Sequence, residues 1–519
     1  MKARYVQLLW IATALGLFNF LAFQHFYWPG SVFEGRTSGV WAALAQDVSR
    51  GEFYRPLLDS QGYGGTRYMP LFFTLHGLLW RWMGDGVSSG LVMVYVSGLL
   101  TLSAVYALLR HQQLPHRLAL PLTGLLLGTL TFERLSVELR GDMLASAAVL
   151  WAVLCVEKAL RKENGQDGRW LVAAGMWTLV AFFTKFTSLY ILIFLAWRLR
   201  SRVFVGSILA LCTGGLGLLQ WMSQGRFWEN FAPVATGGIM HFSWDILPLA
   251  FQNFGDGVIC CDPFAYVICL VPIVVSLRAL WHRFRSKTDD LAIAWPGRSD
   301  LTSGMPFLLL LALVTVVTIA IFSSPGTWIN HIVDLLCCSL FVLGRMFLPQ
   351  STAWRSIAGR ICFFYALIQL GMLLIPGCPS TRQTMVREGV PRVAMLEEIH
   401  RRYLPAGTVY FTDNPIVAVA VGDRPFVLDE FNLRFFLRDG HPIGQDFYQK
   451  VYSGYFQVAV CDNGPLDSDF DSDTPVSPEL TERYWASRPI EYRFLRDYFV
   501  LVAVHRPFAV LAWRRPSDP

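Results

Sequence analysis

The residues most able to do chemistry in this sequence are acids and cations beside long apolar segments. Glu34 and Asp47 follow the first apolar segment, and Arg67, Arg140 and Lys185 lie near the ends or breaks of others. A carboxylate can take a proton from a hydroxyl or an amine, and nearby cations can stabilise an anion as it leaves. The pattern favours group transfer with an anionic leaving group, at the edge of the apolar segments.

The composition places these residues in a membrane protein. The 519 residues are 54% hydrophobic and 16% charged, with a mean hydropathy of +0.40, whereas soluble domains average roughly 25% charged residues. Residues 1–27 carry a short basic start and an apolar run without a small-residue cleavage site, which is typical of a retained signal anchor. The net charge of +6 is ordinary for a membrane protein, and no basic patch with interleaved aromatic residues indicates nucleic acid.

Apolar runs predict eleven membrane-spanning helices. Residues 170–197 would form a single helix about 42 Å long, which is too long for one upright span. Cations flank both ends of this run, so we expect two short helices that meet near Lys185. The other spans are expected near 5–27, 88–109, 118–133, 143–157, 203–221, 264–281, 305–323, 330–348 and 358–376.

The distribution of Lys and Arg predicts the orientation. The connectors assigned to one side hold 19 of these residues, and the longer connectors assigned to the other side hold 9. Because Lys and Arg accumulate in cytoplasmic connectors, the amino terminus is expected to be cytoplasmic. An odd number of spans then leaves the carboxyl-terminal tail outside, and we expect a multi-pass protein of the inner (cytoplasmic) membrane.

The predicted fold class is an α-helical polytopic membrane protein with a C-terminal extracytoplasmic α/β domain. Residues 1–376 form the predicted membrane domain, in which 28–87 is a first external loop with amphipathic helices, one of them over 69–83. Residues 377–519 form the predicted soluble domain. There we expect a helix over Val393–Tyr403, and strands over 408–411, 416–421, 426–428, 456–461, 498–504 and 508–513.

Several familiar kinds of site have no motif in the sequence. The ten cysteines include no CxxC, and no histidine cluster completes a metal site. Neither GxxxxGK[ST] nor GxGxxG after a strand occurs, so nucleotides are not expected as ligands. Group transfer from a lipid-linked donor needs fewer groups. A carboxylate must take a proton from the acceptor, and cations must bind the departing phosphate.

The order of the motifs resembles the GT-C membrane glycosyltransferases, in particular the protein O-mannosyltransferases and the aminoarabinose transferases. Many members have two adjacent acids after the first span, whereas here Glu34 is followed by Gly35. The stretches that carry the resemblance are Glu34-Gly35, Trp41-Ala-Ala-Leu-Ala45, Gly51-Glu-Phe-Tyr54, Tyr68-Met-Pro-Leu-Phe-Phe73, Arg140-Gly-Asp142-Met-Leu-Ala145, Thr184-Lys185, Asn330-His331 through Asp334, and Phe411-Thr-Asp413.

The resemblance implies an inverting transfer of a sugar from a polyprenyl-phosphate donor to an acceptor outside the cytoplasm. It implies Glu34 as the general base, with Asp47 as a second catalytic acid. The acceptor class stays open between a glycan, a lipid and a protein. No cofactor is assigned, and a divalent metal stays open because members of the family differ in metal use. The residues expected to bind substrate or lipid phosphate are Arg67, Tyr68, Arg140, Asp142, Lys185 and His331.

Structural interpretations of the same residues stay open at this point. Asp47 could be a helix-surface acid, Arg140 and Asp142 could form an ion pair at the membrane interface, and His331 could bond to Asp334 three residues on. An alternative function is a transporter or flippase of a lipid-linked or small anionic substrate, although no internal repeat is visible. A non-catalytic scaffold is a third alternative.

Overall fold

The computed structural model describes most of the chain. The described residues are 3–27, 35–161, 167–234, 298–322, 329–347, 352–374, 392–462, 476–488, 490–505 and 507–515, together with isolated positions between 248 and 274. Glu34 and most of the predicted span 264–281 lie outside the described residues.

Helices dominate the part of the chain up to residue 374. The described elements are α1 (Ala3–Tyr27), α2 (Arg36–Ser49), β1 (Leu58–Asp59), β2 (Gly62–Tyr63), α3 (Pro70–Met83), α4 (Gly86–His111), α5 (His116–Gly124), α6 (Leu130–Leu135), α7 (Asp142–Ala159), α8 (Gly168–Thr184), α9 (Ile191–Leu199), α10 (Arg202–Met222), α11 (Arg226–Val234), α12 (Arg298–Phe322), α13 (Val333–Phe347) and α14 (Thr352–Leu374).

Several of these helices are long and apolar enough to cross a membrane. Within the described residues there are four such segments, in α1, α4 and α10 and over Asn330–Phe347, and shorter apolar helices lie in α8, α9, α12 and α14. These helices confirm the predicted class of helical polytopic membrane protein. The predicted total of eleven spans stays a prediction, because parts of the chain lie outside the described residues.

The predicted break at Lys185 is present. α8 ends at Thr184, Lys185 adopts an extended conformation (φ −149°, ψ 112°), and a short 3₁₀ turn over Phe186–Tyr190 leads into α9. The apolar run therefore forms two short helices, as its length required. The Lys185 side chain is placed at the junction between them.

The span predicted over 118–133 is not one continuous helix. The run is divided into α5, a 3₁₀ turn over Leu125–Gly128 and α6. Pro121 lies inside α5, and two side chains of α14 supply partners for carbonyls of the interrupted segment: Tyr365 Oη donates to Leu125 O (2.7 Å) and Gln369 Nε2 donates to Gly128 O (2.6 Å). Irregular backbone is tolerated inside a membrane where neighbouring helices satisfy its polar groups.

The first external loop is a packed structure. α2 is largely buried against α3, and Gly77 permits this approach because a Cβ there would meet the Ala45 carbonyl at 2.6 Å. Asp47 of α2 forms a buried pair with Arg55: the Arg55 Nε and Nη2 donate to its two carboxylate oxygens at 2.8 and 2.9 Å. Arg55 Nη1 also donates to Pro425 O (2.9 Å), so the pair ties the loop to the C-terminal domain.

The C-terminal domain is an α/β domain, as predicted. Its four-stranded sheet has the order β3-β4-β6-β5, with β3 and β4 parallel and the other two pairs antiparallel. Its elements are α15 (Val393–Tyr403), β3 (Tyr410–Thr412), α16 (Ile416–Val419), α17 (Glu430–Arg438), α18 (Pro442–Tyr452), β4 (Val458–Asp462), α19 (Pro478–Ser487), β5 (Phe499–His505) and β6 (Phe508–Trp513).

Two predicted strands of this domain are wrong. The run 416–421 contains the buried helix α16, because a short apolar run looks alike in a buried helix and a buried strand. The run 426–428 lies outside the sheet and pairs with the first external loop instead: Tyr63 N donates to Phe426 O (2.7 Å), and Leu428 N donates to Tyr63 O (3.0 Å). The segment therefore joins the two parts of the molecule.

The Asp47 and Arg55 pair gives a first testable prediction. Arg55→Leu would leave the buried Asp47 carboxylate without its cation, and we expect the free energy of unfolding to fall by about 3–5 kcal/mol. The double variant Asp47→Asn with Arg55→Leu carries no unpaired charge and is expected to recover part of this loss. Thermal unfolding in detergent would measure both.

A matched control for this prediction is Arg50→Leu. Arg50 follows α2 directly, is exposed, and donates to Gly422 O (2.5 Å). An exposed contact of this kind contributes little. Equal loss of stability in Arg50→Leu and Arg55→Leu would contradict the role assigned to the buried pair.

Candidate functional site

Four polar side chains from three separate segments meet at the start of α7. Lys185 Nζ lies 2.5 Å from Asp142 Oδ1, and Asn330 Nδ2 donates to the same oxygen at 2.9 Å. Lys185 Nζ also lies 3.0 Å from His331 Nδ1. We call Asp142, Lys185, Asn330 and His331 the Asp142 cluster. An ionisable group in an apolar environment is costly unless it is paired, and these contacts provide the pairing.

Local sequence explains how these side chains come together. α7 begins at Asp142, which favours the start of a helix because its charge complements the helix dipole. The preceding Gly141 packs against Thr184, where α8 ends, and a Cβ at Gly141 would lie 2.9 Å from Thr184 Cγ2. The small residue therefore lets the start of α7 approach the break that presents Lys185.

Arg140 lies beside this cluster and pairs with Glu138. Arg140 Nε is 2.7 Å from Glu138 Oε2. A Cβ built on Gly35 would lie 3.9 Å from Arg140 Nη2, so the residue that follows Glu34 reaches the same region. The alternative of an Arg140–Asp142 ion pair is wrong, because each of the two residues has a different partner.

Arg67 and Tyr68 reach the site from the first external loop. The Tyr68 ring packs on Trp41 of α2, with 4.5 Å between ring centroids. Burial raises the pKa of the Tyr68 hydroxyl, and the charge of Arg67 opposes this rise without cancelling it, so the hydroxyl stays neutral and able to donate. The charges of Arg67, Arg140 and Lys185 all act on the His331 ring. These three predicted cations therefore lie close enough for their charges to act on the same ring.

Asp334 lies near the cluster but has its own partner. The Tyr190 hydroxyl donates to Asp334 Oδ2 at 2.8 Å, so both His331 and Asp334 contact the segment between α8 and α9, and the alternative of a bond between the two is wrong. A small cavity lies alongside, lined by polar residues and by residues of α12. Its lining includes Lys185, Tyr190, His331, Asp334, Val314, Val317 and Ile321.

The structure describes only one of the two predicted catalytic acids. Glu34 lies outside the described residues, so its role as general base stays a prediction. Asp47 is described, and both of its carboxylate oxygens accept hydrogen bonds from Arg55. It has no contact with the Asp142 cluster among the described residues. This geometry favours a structural role for Asp47 over the catalytic one.

A second charged network, which was not predicted from the sequence, joins α2 to the C-terminal domain. Arg36 contacts three carboxylates: Asp462 Oδ2 at 2.6 Å, Glu430 Oε1 at 3.2 Å and Asp413 Oδ2 at 3.3 Å. Asp413 is also bound by Arg488 at 2.6 Å. Burial alone would raise the pKa of Asp413, but the two arginines lower it below its usual value. The stretch Phe411-Thr-Asp413 was the one signal of this network in the sequence.

The described residues offer no evident metal centre. No three His, Cys, Asp or Glu side chains among them converge as ligands for a metal ion. The acids of the second network are occupied by arginines.

Comparison with known proteins identifies the fold. The family model of the dolichyl-phosphate-mannose-protein mannosyltransferases matches residues 69–223, which contain Arg140, Asp142 and Lys185. No curated protein matches the chain by sequence.

Two solved structures are similar over nearly the whole chain. The apo oligosaccharyltransferase of Archaeoglobus fulgidus is 12% identical with a TM-score of 0.50, over 96% of this chain and 73% of that one. ArnT from Cupriavidus metallidurans, in a structure bound to undecaprenyl phosphate, is 13% identical with a TM-score of 0.49, over 99% and 98% of the two chains. The similarity to the apo oligosaccharyltransferase and the family match over residues 69–223 confirm the predicted resemblance at the level of the fold, which is the GT-C fold.

Proposed function

We propose that the protein transfers a sugar from a polyprenyl-phosphate donor to an acceptor hydroxyl or amine. The observation that carries this proposal is the Lys185 ammonium at the break of an apolar run, 2.5 Å from Asp142 Oδ1 and 3.0 Å from His331 Nδ1. The charges of Arg140 and Arg67 act on the same His331 ring. Cations at that position suit a phosphate, and the surrounding apolar helices suit a prenyl chain. The matched mannosyltransferase family, named for a dolichyl-phosphate sugar, supports the same donor class.

The proposed reaction is a single displacement. The acceptor oxygen or nitrogen attacks the anomeric carbon and forms the new glycosidic bond, while the bond from that carbon to the phosphate oxygen breaks. The bonding electrons leave with the polyprenyl phosphate, and the acceptor proton passes to Glu34. The configuration at the anomeric carbon is inverted, because the attack takes place opposite the leaving group.

The cations would act mainly on the leaving group. Charge grows on the phosphate as the bond breaks, and prearranged cations stabilise this charge without needing to reorganise. Asp142 pairs with the Lys185 ammonium, and Asn330 donates to the same Asp142 carboxylate. The neutral Tyr68 hydroxyl is available as a hydrogen-bond donor. We assign Asp47 to the support of the loop, because Arg55 occupies both of its oxygens.

The proposed location of this site is the extracytoplasmic face of the inner membrane. The Lys and Arg counts of the connectors support this orientation, with the amino terminus in the cytoplasm. The C-terminal domain packs on the first external loop through Tyr63 and Arg55, so both belong to the same side. The acceptor, whether glycan, lipid or protein, would approach from that side.

The proposed base, Glu34, and one cation, Lys185, give a testable prediction. We expect Glu34→Gln to lower the rate of transfer roughly 100-fold or more, because a general base contributes about that factor. Lys185→Ala is expected to lower the rate by roughly 100-fold, as is typical for the loss of one electrostatic stabiliser. The measurement is transfer of label from a polyprenyl-phosphate sugar into product in reconstituted vesicles.

Glu398→Gln and Arg401→Ala are matched controls for the acid and the cation. Both residues lie exposed on α15, where they pair with each other, and we expect normal transfer in these variants. Undiminished transfer by Glu34→Gln would remove Glu34 as the base. Label that changes leaflet without entering product would instead support the transporter, and label that does neither would support the scaffold.

The second prediction concerns orientation. α7 places Glu157 about 22 Å from Asp142 along the helix, and Arg198 Nε pairs with Glu157 Oε1 at 2.6 Å, so Arg198 marks the opposite end of the bundle from the site. We expect Arg401→Cys to react with a membrane-impermeant maleimide in intact spheroplasts. Arg198→Cys is expected to react only after permeabilisation.

The labelling is best done in a parent protein with Cys260, Cys261 and Cys378 replaced by serine. The other seven cysteines are buried and serve as an internal background. Labelling of Arg198→Cys from outside, with protection of Arg401→Cys, would reverse the proposed orientation.

A further inference from the structure

Arg67 is held by an aromatic ring of the C-terminal domain. Its guanidinium carbon lies 4.3 Å from the centroid of the Phe431 ring, nearer than its 5.7 Å to the ring of the adjacent Tyr68. Phe431 lies in the first turn of α17. The contact therefore joins a predicted substrate-binding residue of the first external loop to a domain distant in sequence.

Arg67 differs from four other arginines at this domain boundary. Arg36, Arg55, Arg434 and Arg488 each have a carboxylate oxygen at 3.3 Å or less. Within the described part of the chain, Arg67 has no carboxylate oxygen within 4 Å, although the charge of Asp429 acts on it. Its guanidinium is thus oriented by a ring face and by the Tyr68 hydroxyl, and no acid among the described residues forms a direct ion pair with it.

The position of Phe431 is fixed by several hydrogen bonds. Asp429 caps α17 because its Oδ1 accepts from the Phe431 N–H at 3.0 Å. In the next residue, Asn432 Nδ2 donates to Gly65 O at 2.9 Å, only two residues before Arg67. The backbone pairing of Tyr63 with Phe426 and Leu428 holds the same two segments together. The segments that carry the ring and the guanidinium are therefore held together by hydrogen bonds.

We propose that Phe431 is a positioning residue for Arg67, through which the C-terminal domain takes part in binding the phosphate of the lipid donor. This inference rests on the function proposed above. A guanidinium over a ring face keeps the N–H groups at its edge available, and that edge matches the oxygens of a phosphate. The ring reduces the number of orientations that Arg67 can adopt, so less orientational freedom is lost when the phosphate binds.

The experiment measures binding of undecaprenyl phosphate to the full-length protein in lipid nanodiscs, together with KM for the donor. Phe431→Leu removes the ring face, and we expect roughly tenfold weaker binding, within the range of a desolvated cation–π contact. Phe431→Tyr keeps the ring face and is expected to bind as the wild type does. The matched control is Phe435→Leu, whose ring lies 4.9 Å from that of Phe431 but faces Arg438.

A double-variant cycle separates positioning from a general structural effect. If Phe431 acts through Arg67, then Phe431→Leu changes nothing further in an Arg67→Ala background. Thermal unfolding of each variant without ligand, and Phe431→Met as a second variant that fills the same space, distinguish loss of binding from loss of folding.

The outcomes distinguish the inference from the proposed function. Wild-type protein that binds no polyprenyl phosphate would overturn the proposed donor, and the inference with it. Binding by the wild type that is equally strong in Phe431→Leu would overturn the inference alone. Effects of Phe431→Leu and Arg67→Ala that multiply in the double variant would also overturn it, because the two residues would then act independently.

Discussion

The Lys185 ammonium inside an apolar run is the constraint on which the architecture of the site depends. A charge there must be compensated, and the compensation comes from Asp142, which is 43 residues away, and from a segment near residue 330. The helices that carry these residues must therefore end at the same depth. The break between α8 and α9, the start of α7 and the segment before α13 all meet this requirement. The charge of Arg67, from the first external loop, acts at the same place.

The second organising feature is the charged boundary between the first external loop and the C-terminal domain. Arg36 and Arg55 of the loop contact acids and a carbonyl that lie on both sides of this boundary. Buried ion pairs add little net stability, but breaking one is costly, so they fix relative position better than they add free energy. This fixed boundary allows the C-terminal domain to hold Phe431 within a few ångströms of Arg67.

The parts of the fold and the site that could be predicted were those marked by a pattern within one short stretch of sequence. The extended backbone at Lys185 follows from a cation in the middle of an overlong apolar run, and helix α15 coincides with the predicted Val393–Tyr403. The errors occurred where a local pattern was compatible with two structures. The run 118–133 is apolar enough for a span but is divided because α14 satisfies its carbonyls. The run 416–421 was too short to distinguish a buried helix from a strand.

The sequence by itself determined the class of protein, the position of the Lys185 break and the set of charged residues near the ends of the apolar segments. The hydrophobicity of a segment depends only on its own residues, so it can be judged from the sequence alone. Only the tertiary structure decided the partners: Asp47 with Arg55, Asp142 with Lys185, Arg140 with Glu138, and Arg36 with three acids. Ion pairs and cation–π contacts depend on distances of a few ångströms between segments that can be hundreds of residues apart, and those distances exist only in the folded chain.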